Sequence, residues 1–252
     1  MNTLSIEKAG QLKLIRLNRG KANAINQEMV HELHESFWQL QNDQTCKGVL
    51  LTGRENFFSA GLDVVELYRY SEDELLNFWR SFSALIRLMV GFPKPLISAI
   101  NGHSPAGGCV LALCCDERIM AEGPFLIGLN EIQVGIVVPQ PIFELYRFWL
   151  GDGLAYQMLL EGRMVDAHTA RQIGLVSAAS TQDQIETHAL QRLEALAAFQ
   201  PEVWSLSKQA LRRQLLEQLN QDFEAAFGPA IKQWWQPESR AIMEGLITKL
   251  KK

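Results

Sequence analysis

Two short stretches place an alanine–glycine pair where an apolar strand gives way to an apolar helix: "SAGLD" at Ser59–Asp63 and "PAGGC" at Pro105–Cys109. A helix start leaves up to four backbone N–H groups without intrahelical partners and carries partial positive charge, so such a turn can hold a phosphate or an oxyanion. Neither GxxxxGK[ST] nor GxGxxG occurs, and the residues after Gly108 are Cys109, Val110 and Leu111, with no lysine to balance a phosphate. A polarised carbonyl oxygen fits so apolar a segment better. The competing reading of Ala106-Gly107-Gly108 is close backbone packing ahead of a buried helix. Glu131, in "GLNEIQ", stands among apolar Ile127, Leu129, Ile132, Val134 and Ile136. Taken alone, Glu131 reads as a surface or capping carboxylate.

These residues need elements to hold them. Residues 3–8 and 11–17 predict two strands joined at Ala9-Gly10, and the apolar spacing of 26–41 predicts a helix. "GVLLTG" (48–53) and "LISAI" (96–100) read as buried strands, and 72–90 as a helix closed by Gly91, Pro93 and Pro95. "GCVLALCC" predicts a helix buried on all sides, and "ERIMA" and "FLIG" read as strand pieces. Helices follow over 139–150 and 153–161; Asp166 caps another, and "GLVSAA" (174–179) gives the last strand signal. Residues 181–199, 201–219 and 221–250 read as helix, the last interrupted at Pro229 and Pro237. The order predicts an α/β core with a helical C-terminal appendage. "GVLLTGRENFFSAGLDVVEL" and "PLISAINGHSPAGGCVLAL" share one plan of strand, loop, AG pair and helix, which places two sets of free N–H groups near one another.

Composition narrows the function classes. The chain has 252 residues, a formal net charge of -4, 47% hydrophobic and 21% charged residues, values of an ordinary globular domain. The acidic balance and the lack of a basic run speak against nucleic acid, Lys249, Lys251 and Lys252 forming only a short cationic tail. No apolar run is long enough to span a bilayer, and no signal peptide is read at the N-terminus. The expected location is therefore the cytoplasm, or the mitochondrial matrix if a presequence was removed. Cys46, Cys109, Cys114 and Cys115 lack zinc-ligand spacing and read as packing residues in a reducing compartment. His31 and His34, at i, i+3 without a third ligand in sequence, read as a solvated face, so no metal is expected. Ser59 and Ser104 lack a GxSxG setting. His103 beside the AG loop reads as packing, and Trp204, Trp234 and Trp235 as helix packing or a subunit interface.

"FFSAGLDVVEL" together with "AINGHSPAGGCVLALCCDERIMAEGPFLIGLNEIQVGI" resembles the enoyl-CoA hydratase/isomerase (crotonase) superfamily. Within it the motifs "FSAGLD", "PAGGC" and "IGLNE.Q.GI" resemble the mitochondrial-type 3,2-trans-enoyl-CoA isomerase group. The likeness covers most of the chain and is densest at 57–139. It implies an α/β fold: a crotonase-like spiral of ββα units with a C-terminal helical trimerisation region. It places an acyl-CoA-binding core at 1–195 and an oligomerisation region at 196–252, and implies a homotrimer or hexamer. By motif position, the resemblance makes Leu62 and Gly107 the two backbone N–H donors to the thioester oxygen. It sets Ala60, Gly61, Leu62, Asp63, Val64, Gly107 and Asn130 along the acyl-CoA path, Asp63 more as a helix cap than as a reactant. Arg19 and Lys21, after the first hairpin, become candidates for the CoA phosphates, against a reading as solvated charges. The acyl end is expected between the 72–90 helix and the C-terminal segments.

Hydratases of the resembled family use two glutamates, one just after "GGC" and one in the later "PE" or "NE" motif. The first position here is Val110 and the second is Glu131. Efficient hydration needs a water activated on one side and a proton delivered on the other, so losing one carboxylate argues against it. A single carboxylate suffices to move a double bond by carrying a proton from C2 to C4. The resemblance thus implies an isomerase of fatty-acid β-oxidation type, with CoA as part of the substrate and no other cofactor. The alternatives are another acyl-CoA reaction of the same superfamily, such as weak hydration or decarboxylation, and a non-catalytic acyl-CoA- or RNA-binding scaffold.

Overall fold

The computed structural model describes residues 1–250. Lys251 and Lys252, read as part of a cationic tail, lie outside the described residues. The chain opens with a hairpin, β1 (Leu4–Ala9) and β2 (Leu12–Leu17), turned at Gly10, whose φ of +64° is the left-handed region where glycine is unstrained. Helix α1 (Gln27–Asn42) starts at Asn26, whose side chain accepts the Met29 N–H. β3 (Gly48–Thr52) and β4 (Asn56–Phe57) lead to α2 (Val64–Leu67), which Asp63 caps by accepting the Glu66 N–H.

α3 (Glu72–Val90) begins with a reciprocal capping box between Ser71 and Glu74. β5 (Leu96–Ile100), β6 (Gly102–Pro105) and α4 (Gly107–Leu113) repeat the previous plan. β7 (Glu117–Ala121) and β8 (Ile127–Gly128) lead to a single 3₁₀ turn at Glu131–Val134. α5 (Gln140–Leu150), α6 (Asp152–Glu161) and α7 (Ala167–Gln172) precede β9 (Ala178–Ser180). α8 (Ile185–Ala197), α9 (Pro201–Leu219), α10 (Phe223–Trp234) and α11 (Pro237–Leu250) complete the described chain.

The main sheet has the order β1-β2-β3-β5-β7-β9, parallel except for the first hairpin, and a small parallel sheet runs β4-β6-β8. Every residue of β3 and β5 is buried, as a parallel strand covered on both faces requires. The echo seen in the sequence is therefore real in space: β3 pairs β5 and β4 pairs β6, which sets the two AG loops side by side. A third copy follows, because β7 pairs β5 and β8 pairs β6. Each copy delivers one chemically significant residue just past its short strand: Leu62, Gly107 and Glu131.

Two expectations need correction. Pro229 does not interrupt a helix but lies inside α10, whose Ala226, Phe227, Ala230 and Trp234 are buried. Packing of that face outweighs the one backbone hydrogen bond a proline forfeits. The last strand is only Ala178–Ser180, not 174–179, because Leu175 and Val176 donate their N–H groups back to the Ala170 carbonyl at the end of α7.

α9 is fastened to the core by buried charge. Asp116 accepts the Leu96 N–H at 2.8 Å and pairs with Lys208 at 2.9 Å and Arg212 at 3.2 Å. Arg212 also donates to the carbonyls of Val90, Cys114 and Cys115, filling the C-terminal ends of α3 and α4 where cations are favoured. Trp234 is buried, and Trp235 lies against the Arg240 guanidinium, so both serve helix packing. Among the described residues, no helix is long and apolar enough to cross a membrane.

Candidate active site

A cavity of about 290 Å³ brings the three delivered residues together. Leu62 and Gly107 line it with Val110, Asn130 and Glu131, as do Ala60, Asp63 and Val64. Gly61 lies between them with φ +85°, and its carbonyl accepts the Ile25 N–H at 2.8 Å. The far wall comes from Trp79 and Phe82 of α3 and from Leu246 and Leu250 of α11, so the helix at 72–90 and the C-terminal segment both bound the space.

The two candidate donors are left free by different means. In the stretch Ala60–Asp63, the Ala60 N–H donates to the Ala22 carbonyl and the Asp63 N–H to the Ile25 carbonyl, each at 2.8 Å. The Gly61 N–H donates to Ser59 Oγ at 3.2 Å. The Leu62 N–H alone has no partner among the described residues. Gly107 is the first residue of α4, where an N–H has no intrahelical acceptor. The two amides are neighbours: a Cβ on Gly107 would lie 3.3 Å from Leu62 N and 3.2 Å from both Ile25 Cδ1 and Leu62 Cδ2.

The glycine pair divides its labour. A Cβ on Gly108 would sit 2.5 Å from the Ser59 carbonyl oxygen, so Gly108 is there for close approach of the first AG loop to α4. Gly107 has no such backbone clash and keeps space open beside a free N–H. The close-packing reading of Ala-Gly-Gly thus applies to Gly108, while Gly107 keeps an unpartnered N–H facing the cavity. Ala106 holds φ +47° and ψ -121°, a backbone state that costs a non-glycine residue on the order of 1–3 kcal/mol. Its N–H donates to the Gly128 carbonyl at 2.8 Å and its carbonyl accepts the Val110 N–H at 3.0 Å, which holds the strained turn. Since ψ of residue 106 sets the plane of the next peptide, this turn aims the Gly107 N–H.

Glu131 opens the 3₁₀ turn, which ends at Gly135 with φ +74° and is packed against α6 and α11. Gln133 pins the turn by donating Nε2 to the carbonyls of Glu161 at 3.2 Å and Gly162 at 3.0 Å. The Glu131 side chain is buried, its Oε2 has no hydrogen-bond partner, and burial pushes its pKa up to about 7, only partly offset by its own N–H. Val110, fully buried, occupies the cavity wall from α4 and offers no second carboxylate. Two free N–H groups can stabilise a developing oxyanion while one carboxyl poised near neutrality moves a proton.

Other expectations resolve as follows. Asp63 caps α2, as read, and also pairs with Arg19 at 2.7 Å. Arg19 is half-buried, and its guanidinium is engaged by Asp63 and Glu66. His103 Nδ1 accepts the Leu126 N–H at 3.2 Å, and the ring packs 5.4 Å from both Phe57 and Phe125, so packing is its role. No group of three or more metal-ligating side chains assembles among the described residues, His31 and His34 included. The sequence reading missed Arg19's partners, Gln133, and the rail at 22–26 beside the first AG loop. Asn18, Asn23 and Asn26, polar residues crowded into one loop, were the available signal for that rail.

The enoyl-CoA hydratase/isomerase family model matches residues 7–246. Enoyl-CoA delta isomerase 1, mitochondrial, of Mus musculus is 33% identical over 214 residues, covering 84% of this chain and 74% of that protein. The 2,3-dehydroadipyl-CoA hydratase of Escherichia coli (strain K12) is also 33% identical over 214 residues, covering 84% and 83%. Among solved structures, human mitochondrial delta3-delta2-enoyl-CoA isomerase superposes with a TM-score of 0.95 at 28% identity, covering 99% of this chain and 98% of that one.

Proposed function

The chain belongs to the enoyl-CoA hydratase/isomerase family, and from that premise we propose that its cavity moves the double bond of a 3-enoyl-CoA to give trans-2-enoyl-CoA. Identity alone does not choose the reaction, since an isomerase and a hydratase are each 33% identical to it. The observation that carries the proposal is that, of the two carboxylates lining the cavity, Asp63 is tied to Arg19 and Glu131 alone is buried with an unpartnered oxygen, while Val110 stands on the α4 wall.

In the proposed reaction the thioester oxygen accepts the N–H groups of Leu62 and Gly107. Ionised Glu131 removes a proton from C2. The C2–H electron pair forms a C1=C2 bond and charge collects on the oxygen, giving a dienolate with C3=C4 still in place. The oxygen charge then returns to re-form the carbonyl, C2=C3 forms, and C4 takes the proton from Glu131, restoring the carboxylate. Atoms and electrons balance within the substrate and one carboxyl, so no redox or metal cofactor is required beyond the CoA of the substrate. Leu62 and Gly107 act through backbone donors whose loss costs about 3 kcal/mol of barrier in comparable sites. Asn130, Ala60, Gly61, Asp63 and Val64 shape the acyl-CoA path. Conversion of such intermediates would serve fatty-acid β-oxidation.

We also propose assembly as a homotrimer or hexamer through the helical region 196–252. Phe199, Val203, Leu206 and Leu211 are exposed apolar residues there, at 59%, 63%, 60% and 79%. The reaction is tested by incubating 3-enoyl-CoA with the wild type and with Glu131→Gln. Growth of conjugated-thioester absorbance with the wild type, and its loss in the variant with CoA esters still bound, is the expected result. Absence of wild-type turnover, or a fully active variant, overturns the proposal.

A further inference from the structure

The segment Ala22–Asn26 runs beside the first AG loop and takes up the N–H groups of Ala60 and Asp63, on either side of Leu62. Asn23 braces it from within, donating Nδ2 to the carbonyls of Phe57 at 3.3 Å and Phe58 at 3.2 Å. Two rails joined by a few backbone hydrogen bonds can still slide and twist. One side chain fixes them from outside. Arg19 Nη1 donates both to the Ala24 carbonyl on one rail, at 2.9 Å, and to Asp63 Oδ2 on the other, at 2.7 Å. Arg19 Nη2 donates to Glu66 Oε2 at 2.7 Å, which ties in α2. Glu66 is held further by Asn26 Nδ2, at 3.1 and 3.2 Å, and by the Tyr70 hydroxyl at 2.8 Å. The Arg19 backbone N–H is itself anchored to Asn23 Oδ1 at 2.9 Å.

We propose that Arg19 is a positioning residue for the Leu62 N–H, its guanidinium clamping rails 22–26 and 60–63 where Ile25 and Leu62 pair as an isolated parallel β-bridge. The inference rests on the reading that the Leu62 N–H receives the thioester oxygen. Arg19 reaches a carbonyl and two carboxylates from two separate nitrogens held in one plane, a spread that a lysine's single Nζ does not reproduce. Of the two carboxylates facing Arg19, Asp63 belongs to the loop that carries the donor and Glu66 to α2, the helix that loop opens.

The test reads carbonyl polarisation directly. A conjugated 2,4-dienoyl-CoA bound by two N–H donors absorbs at longer wavelength than in water, without any proton transfer by Glu131. The wild type is expected to show that red shift. Arg19→Ala should show a smaller one, with kcat reduced about 10- to 100-fold, since misplacement of a group by about 1 Å costs up to 10². The KM should change little, for CoA esters and for pantetheine thioesters alike. Arg19→Lys should recover part of both losses. Glu66→Gln, which keeps the Asp63 arm, should fall between wild type and Arg19→Ala and serves if Arg19→Ala does not fold. An unchanged red shift and kcat in Arg19→Lys and Glu66→Gln overturns the clamp. So does a loss confined to the KM of CoA esters and absent with pantetheine thioesters, which marks a phosphate contact instead. A wild type without a red shift overturns the Leu62 and Gly107 donor reading itself, and the clamp with it.

Discussion

Replacing Glu131 by glutamine should make the protein more stable above neutral pH while abolishing its reaction. The carboxyl is raised from 4.5 in a free glutamate to about 7 because burial disfavours its charge. The folded state therefore holds this proton more tightly than the unfolded chain does. Its contribution to stability is full below about pH 4.5, declines as pH rises toward 7, and is gone above that. The difference amounts to about 3 kcal/mol between the protonated and ionised site. Glutamine has nearly the same shape and no charge to bury. Wild type and Glu131→Gln should then unfold alike near pH 4.5 and separate as pH rises, the variant gaining about 3 kcal/mol by pH 8. For a chain of this length that corresponds to a melting temperature higher by about 6–12 °C. Thermal unfolding of both proteins across pH 4.5–9 measures it, and other titrating groups cancel in the difference. Parallel curves, or a variant less stable than wild type at pH 8, would refute the argument that Glu131 is ionised at a desolvation cost.

The same titration should govern turnover: kcat/KM for a 3-enoyl-CoA should rise with an apparent pKa of about 7 and level off above it, and a profile flat down to pH 5 contradicts the base role. Gly107→Ala should fold, since Gly107 has no positive φ, yet lower kcat by about 10²–10³ as its Cβ intrudes 3.3 Å from Leu62 N. Stopped-assay kinetics together with a circular dichroism melt separate that outcome from unfolding. Val110→Glu should add measurable hydration of trans-2-enoyl-CoA, at a stability cost on the order of 3 kcal/mol for a carboxyl placed at a fully buried position. A variant with no hydration, despite a folded structure and retained isomerisation, means that more than one residue excludes water.

The three candidate positions were legible because each lies in a local motif: "SAGLD", "PAGGC" and "GLNEIQ" keep the two amides and the carboxylate within a few residues of a strand end. The ββ pairing behind the first two was legible as an echo. The third copy was not, since it has no AG pair and a 3₁₀ turn replaces its helix. Long-range partners were hidden for a different reason. Arg19 meets Asp63 across 44 positions, and nothing in the local pattern of "NRGKAN" distinguishes a clamping arginine from a solvated one. The cavity's far wall combines Trp79 with Leu246, a pairing set only when α11 folds back toward the site. Pro229 shows the limit of local rules, since buried neighbours on α10 carried the helix through it.

The most direct test of a single-carboxyl shuttle follows the proton. A 3-enoyl-CoA deuterated at C2 is converted in ordinary water, and the trans-2-enoyl-CoA formed in the first turnovers is examined for deuterium at C4. Glu131 is buried and lacks a hydrogen-bond partner on Oε2, so part of the label it removes from C2 should reappear at C4 of the same molecule. Product carrying only solvent hydrogen at C4, even at the earliest times, would contradict the account.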